Sequence, residues 1–205
     1  MIEALSAAVG RYVPRETFEL IDRYVGLLKQ ESKTHNLIAA STLDSLWERH
    51  ILDSAQLARF EQSSGASWAD VGSGAGLPGV VVALLVDGPV TLIEPRRLRA
   101  DFLSKAATEL GLSKRVTVAC AKAERVEGNF DVITGRAVAA LDRFLAIADH
   151  LATKDTIWAL PKGRNAQSEL AQARRNWQCE VSVEQSCTDP ESQILVLTRV
   201  GKKKR

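Results

Sequence analysis

Three glycines at alternate positions, Gly72, Gly74 and Gly76, sit between two apolar runs in residues 68–86, "WADVGSGAGLPGVVVALLV". A loop this bare lets a ligand come close to its backbone. About 20 residues on, Glu94 ends the run "VTLIE", where a carboxylate can accept hydrogen bonds from both hydroxyls of a ribose. Asp70, at the end of the first run, either meets a cofactor amino group or buttresses the loop. Arg136 follows "FDVIT" and is placed to hold a carboxylate or a phosphate. Cys120, Cys179 and Cys187 are odd in number and have no C-x-x-C spacing. They form neither a disulfide frame nor a zinc site, which fits a reducing compartment.

The loop's spacing narrows the ligand. Read from Gly72, the first glycine after the strand, the dinucleotide fingerprint G-x-G-x-x-G would need a third glycine at position 77, which is Leu77. That argues against a nicotinamide-dependent oxidoreductase. No G-x-x-x-x-G-K-[ST] is present, which argues against a P-loop nucleoside triphosphatase. The spacing G-x-G-x-G is that of S-adenosylmethionine-dependent methyltransferases, whose cofactor has no pyrophosphate for a helix N-terminus to hold.

Elements of alternating type must position these residues. "SWADV", "VTLIE", "RVTVAC", "FDVIT" and "TIWAL" read as strands. Helices are expected over "LPGVVVALLV", from Pro95 to Leu110, and around Leu141 to His150. Another carries the stripe Ala166, Leu170, Ala173 and Trp177. "CEVSVEQ" and "QILVLTRV" read as a terminal hairpin. The fold class is α/β: a mostly parallel, doubly wound sheet with a C-terminal antiparallel hairpin. Before "EQSSGAS" the pattern is helical throughout. One helix begins near Pro14, with Phe18, Ile21, Val25 and Leu28 on one face. A second begins at Ser41, with Asp44 as a capping-box-like partner and His50 on its apolar stripe with Leu46 or Trp47, Ser54 and Leu57. Residues 1–65 are therefore expected to form a helical subdomain packed on a core of residues 66–205.

The 205 residues suit one domain with an added subdomain, and 45% hydrophobic with 25% charged residues is an ordinary globular profile. A net charge of +2 makes no bulk argument for nucleic acid, although the chain ends in "GKKKR", a frayed terminus or a phosphate contact. The opening "MIEALSAAVG" has no basic lead or apolar core, so no signal peptide is expected. The longest apolar run is too short to span a bilayer. A cytoplasmic protein with no membrane contact is expected, as a monomer.

Several motifs occur in a characteristic order: Asn36-Leu37, "RHILDS" from Arg49, "DVGSGAGLPG" from Asp70, Gly135-Arg136-Ala137, and "LPKG" from Leu160. Together they resemble the bacterial ribosomal RNA small subunit methyltransferase G family, also called glucose-inhibited division protein B. The chain departs from the family pattern at Ile38 and Gly135, where Thr and Ser are usual. The resemblance implies a Rossmann-like class I methyltransferase. Its cofactor would be S-adenosyl-L-methionine and its substrate one guanine N7 in 16S ribosomal RNA, free or in the small ribosomal subunit. It also implies that Gly72 and Leu77 line the cofactor, that Ala123 and Glu124 meet its adenine end, and that Arg136 binds it. Gly74 and Glu94 complete the expected cofactor residues.

Guanine N7 carries an exposed lone pair and needs no general base, so no catalytic acid or base is named. No cysteine follows a proline, which argues against cytosine-C5 chemistry. No Asn/Asp-Pro-Pro-aromatic loop follows "FDVIT", which argues against amino-group methylation of adenine. On the substrate side, Lys162 is expected beside the crevice, with Arg49 and His50 as further RNA candidates. His50 reads equally well as a buried histidine paired with Asp53 one turn on. Arg96, Arg97 and Arg99 crowd a helix start, where the dipole disfavours them, so a phosphate partner is one explanation. A methyltransferase acting on another RNA or a small molecule remains open. A non-enzymatic RNA-binding module would explain the tail but not the glycine loop.

Overall fold

The computed structural model describes residues 1–35, 37–38 and 45–203. Its seven strands are β1 (Trp68–Val71), β2 (Val90–Ile93), β3 (Val116–Ala119), β4 (Phe130–Thr134), β5 (Ala152–Lys162), β6 (Trp177–Gln185) and β7 (Gln193–Lys202). They form one sheet in the order β3-β2-β1-β4-β5-β7-β6. Pairing is parallel from β3 to β5, and β7 runs antiparallel between β5 and β6. The chain winds outward from β1 to β3 and then returns to β4 on the other side of β1. That reversal opens a crevice beyond the carboxyl end of β1, where the glycine loop begins.

Alternate residues of each strand feed two separate cores. Trp68, Val132, Ile157 and Ile194 belong to one, and their neighbours Ala69, Ile133, Trp158 and Leu195 to the other. The first face is covered by α1 (Ile2–Val9), α2 (Arg15–His35), residues 47–60, α4 (Gly79–Leu85) and α5 (Arg97–Glu109). The second is covered by α6 (Leu141–Ala148) and α7 (Ala166–Ala173). The N-terminal helices thus share a core with the sheet. Phe18 of α2 stacks on Trp47 with ring centroids 5.2 Å apart.

Some expectations need correction. Residues 47–60 are not one α-helix. A π-helical turn, Trp47–Leu52, leads into α3 (Asp53–Ala55) and a 3₁₀ turn, Gln56–Phe60. The wider turn moves the buried position from His50 to Ile51, five residues after buried Leu46. The Ser41 helix start and its Asp44 partner lie outside the described residues. Trp177 is not on the last helix but opens β6, and its indole N–H donates to Asp142 at 3.1 Å. The tail is ordered as far as it is described: Lys202 ends β7, 5.9 Å from the centre of the Trp177 ring. Among the described residues no helix is long and apolar enough to cross a membrane.

Candidate active site

The glycine loop is held from three sides. The N–H groups of Gly72 and Ser73 both donate to the Ile93 carbonyl, at 2.8 and 3.0 Å. The Gly74 N–H donates to Glu94 Oε2 at 2.8 Å. From α2, the buried Tyr24 hydroxyl donates to the Ala75 carbonyl at 2.7 Å. Gly72 has φ +74°, in the left-handed region, and a Cβ there would stand 2.6 Å from Val138 Cγ2. Gly76, at φ +92°, is crowded in the same way, with a Cβ 2.6 Å from Val80 Cγ2, so both positions leave no room for a side chain.

Glu94 is 3% exposed and performs two structural tasks at once. Oε2 holds Gly74, and Oε1 accepts from the Arg96 N–H at 2.8 Å, just ahead of α5. Each carboxylate oxygen keeps a lone pair for a further donor. Glu94→Ala is therefore expected to weaken cofactor binding about 10- to 100-fold, the roughly 1–3 kcal/mol of a lost charged acceptor. It should also lower the melting temperature, because two backbone N–H groups lose their partner. Calorimetry with S-adenosylhomocysteine alongside a thermal melt checks both. A lower melting temperature with unchanged affinity would leave Glu94 only its structural task.

Asp70 is buried, and Oδ2 accepts from the Gly79 N–H at 3.0 Å, tying β1 to the start of α4. Of its two expected roles, this is the buttress. Oδ1 is buried with no partner among the described residues. Burial pushes the Asp70 carboxyl up to about 7.

A cavity of about 670 Å³ opens at the crevice. All seven residues expected to hold the cofactor line it, together with His50. Ala123 and Glu124 reach it on a 3₁₀ turn, Ala123–Arg125, after β3. Its charged rim carries Arg96, Arg99, Lys122, Arg136 and Arg143 against Glu94 and Glu124. The excess of cations suits an anionic ligand or a phosphate backbone. Arg97 is turned away into an exposed pair with Asp101 at 2.9 Å.

Arg136 donates to Asp53 Oδ2 at 3.0 Å and to the Arg49 carbonyl at 3.4 Å. Asp53 is thus the partner of Arg136 and not of His50, as the α-helical spacing implied. The His50 ring nitrogens are both buried and lack partners among the described residues. Burial, and after it the nearby Arg136 guanidinium, lowers the His50 pKa, which favours the neutral ring. It has one donor and one acceptor left over at the cavity wall. A polar ligand would satisfy them, so the residues present fit a bound cofactor.

Lys162 lies in an adjoining cavity of about 420 Å³ that shares Arg136, Ala137 and Val138 with the first. It is paired with Glu169 at 2.9 Å, and its side chain is 11% exposed. Arg49 is exposed and lines neither cavity. Sequence reasoning missed Tyr24, Val138 and Glu169. Tyr24 falls three residues after Ile21 on the apolar face of α2, a signal of burial though not of its bond to the loop.

A family model described as rRNA small subunit methyltransferase G matches residues 17–195. The chain belongs to that family. It is 45% identical to ribosomal RNA small subunit methyltransferase G of Zymomonas mobilis over 202 residues, covering 94% of this chain and 90% of the relative. It is 48% identical to the protein of that name in Sphingopyxis alaskensis over 193 residues, covering 93% and 82%. The fold is similar to a SAM-dependent methyltransferase from Aquifex aeolicus, with TM-score 0.59, 17% identity and coverage of 75% and 92%. It is similar also to M. jannaschii TYW2 in complex with AdoMet, with TM-score 0.58, 14% identity and coverage of 75% and 76%. The chain is a class I methyltransferase, and its cofactor is S-adenosylmethionine.

Proposed function

We propose that this methyltransferase methylates N7 of one guanine in 16S ribosomal RNA, in the cytoplasm, with the glycine-loop cavity holding the cofactor. Residues 1–65 act as a helical subdomain that braces the loop, a reading supported by the Tyr24 bond to Ala75. The observation that carries the proposal is the paired arrangement of cavities at the switch point. One is lined by the expected cofactor residues, and a second adjoins it across Arg136, Ala137 and Val138.

The protein's own groups bind, orient and exclude water. The glycine loop and Glu94 fix one end of the cofactor cavity. Ala123 and Glu124 edge it after β3, and Arg136 stands between the two cavities. When bound, S-adenosylmethionine supplies a sulfonium methyl: the N7 lone pair forms the new N–C bond, the S–C pair stays on sulfur, and no proton moves. Alignment is then the main demand on the protein. None of the three cysteines lines either cavity, so no thiol is placed for covalent catalysis.

Mass spectrometry of 16S ribosomal RNA from cells with and without the gene tests the reading. One 7-methylguanine is expected to vanish when the gene is deleted and to return with the purified protein and S-adenosylmethionine. An unchanged 16S modification profile would sink the proposal.

A further inference from the structure

Resting on that reading, we propose that the second cavity receives the target guanine and that Lys162 and Glu169 read its O6 and N1–H edge. Its volume of about 420 Å³ falls within the roughly 300–1,000 Å³ of small-molecule sites. Its lining shares Arg136, Ala137 and Val138 with that of the cofactor cavity, so the two adjoin there. A base with N7 against Arg136, Ala137 and Val138 keeps O6 on that same edge and turns its N1–H about a right angle away, along the second cavity. Enzymes that enclose a base in a pocket take it from a single-stranded segment or extrude it from the stack.

The two side chains there form a fixed donor–acceptor pair. Lys162 Nζ donates to Glu169 Oε2 at 2.9 Å and to the Ala139 carbonyl at 3.1 Å. The Leu141 N–H donates to the same Oε2 at 2.8 Å. Both bonds fall on one oxygen, and Oε1 has no partner among the described residues. The third ammonium proton of Lys162 and Glu169 Oε1 are therefore available. The side chains are 11% and 24% exposed, so the pair faces the cavity more than bulk water.

Guanine presents an acceptor, O6, beside a donor, N1–H. Adenine presents a donor, its 6-amino group, beside an acceptor, N1. An ammonium next to a free carboxylate oxygen matches the first order and opposes the second. A site built to bond one order rejects the other because its own buried groups are left unpaired. The same carboxylate faces the positive charge that develops on the purine as N7 is alkylated.

The test compares single-turnover methylation of target RNA carrying guanosine or 2,6-diaminopurine ribonucleoside at the acceptor position. The analogue keeps N7 and the 2-amino group but reverses the O6/N1–H order. Glu169→Gln keeps an oxygen for Leu141 and Lys162 and replaces the free one with a donor. It should cut the guanosine rate about tenfold or more and shrink the guanosine preference by a similar factor. Affinity for S-adenosylhomocysteine, measured by calorimetry, should stay within about twofold. Lys162→Met, which removes the donor to O6, should narrow the same preference and guards against misfolding of the first variant. Equal losses on both substrates, or no loss, would show a structural pair and overturn the inference. A parent that methylates guanosine while the preference stays fixed sinks only this inference. A parent that leaves guanosine N7 untouched sinks the proposed function and this inference with it.

Discussion

Gly72→Val is expected to cost at least a hundredfold in cofactor affinity while the chain stays folded. Two separate effects add. With φ at +74°, a β-branched residue must sit in the left-handed region, a strain of about 1–3 kcal/mol. Its Cβ also meets Val138 Cγ2 at 2.6 Å, so the wall between the two cavities must move. Gly72→Ala keeps both problems but in milder form, and should lose less. Val138→Ala in the Gly72→Ala background relieves the contact without touching φ, so it should restore part of the affinity. Calorimetry with S-adenosylhomocysteine and a thermal melt on the three variants make the comparison. Unchanged affinity in Gly72→Val would remove the loop from the cofactor site.

The second large effect is on stability and depends on pH. Asp70 is buried with one oxygen on Gly79 and the other unpartnered. Burial lifts its carboxyl from 3.8 to about 7. In the unfolded chain this group loses its proton at the ordinary carboxyl pH, whereas the folded chain keeps it to about 7. Between those values the folded state binds more protons, so stability falls as pH rises. The whole shift corresponds to about 4 kcal/mol, and roughly 2–3 kcal/mol of it is lost between about pH 5 and pH 8. Asp70→Asn carries no titrating group and can still accept from Gly79. Its stability relative to the parent should therefore rise by that 2–3 kcal/mol over the same range. Urea melts at the two pH values measure it, and a difference that does not change with pH would overturn the assignment.

The parts of the fold that follow a regular period were legible. Trp68 and Ala69 feed opposite cores because strand side chains alternate, and the five parallel strands were placed as short apolar runs alternating with helical stripes. The cofactor loop was legible because its glycines and Glu94 keep a spacing that the backbone geometry demands. Residues 47–60 were legible in part: Leu46, Ser54 and Leu57 are buried as the helical stripe implies, but the π-turn puts Ile51 inward in place of His50, and Asp53 pairs with Arg136 instead. Trp177 was misplaced because it falls four residues after Ala173, at helical spacing, although the helix ends at Ala173. On the acceptor side Lys162 was named from the sequence, but its partner Glu169 was missed for a different reason. Glu169 and Lys162 meet only when α7 docks beside β5, a tertiary event with no local signature.

The Tyr24 bond to Ala75 bears on how the molecule opens. The glycine-loop amides cannot be exposed by a local fluctuation of β1 alone, since the loop is also anchored on α2. Opening the loop means breaking a buried hydrogen bond and loosening the helix that supplies it, so the two segments, about 50 residues apart in the chain, belong to one cooperative unit. A ligand that favours the closed loop then slows amide exchange in α2 without touching it, and the helix reports on occupancy of a cavity it does not line.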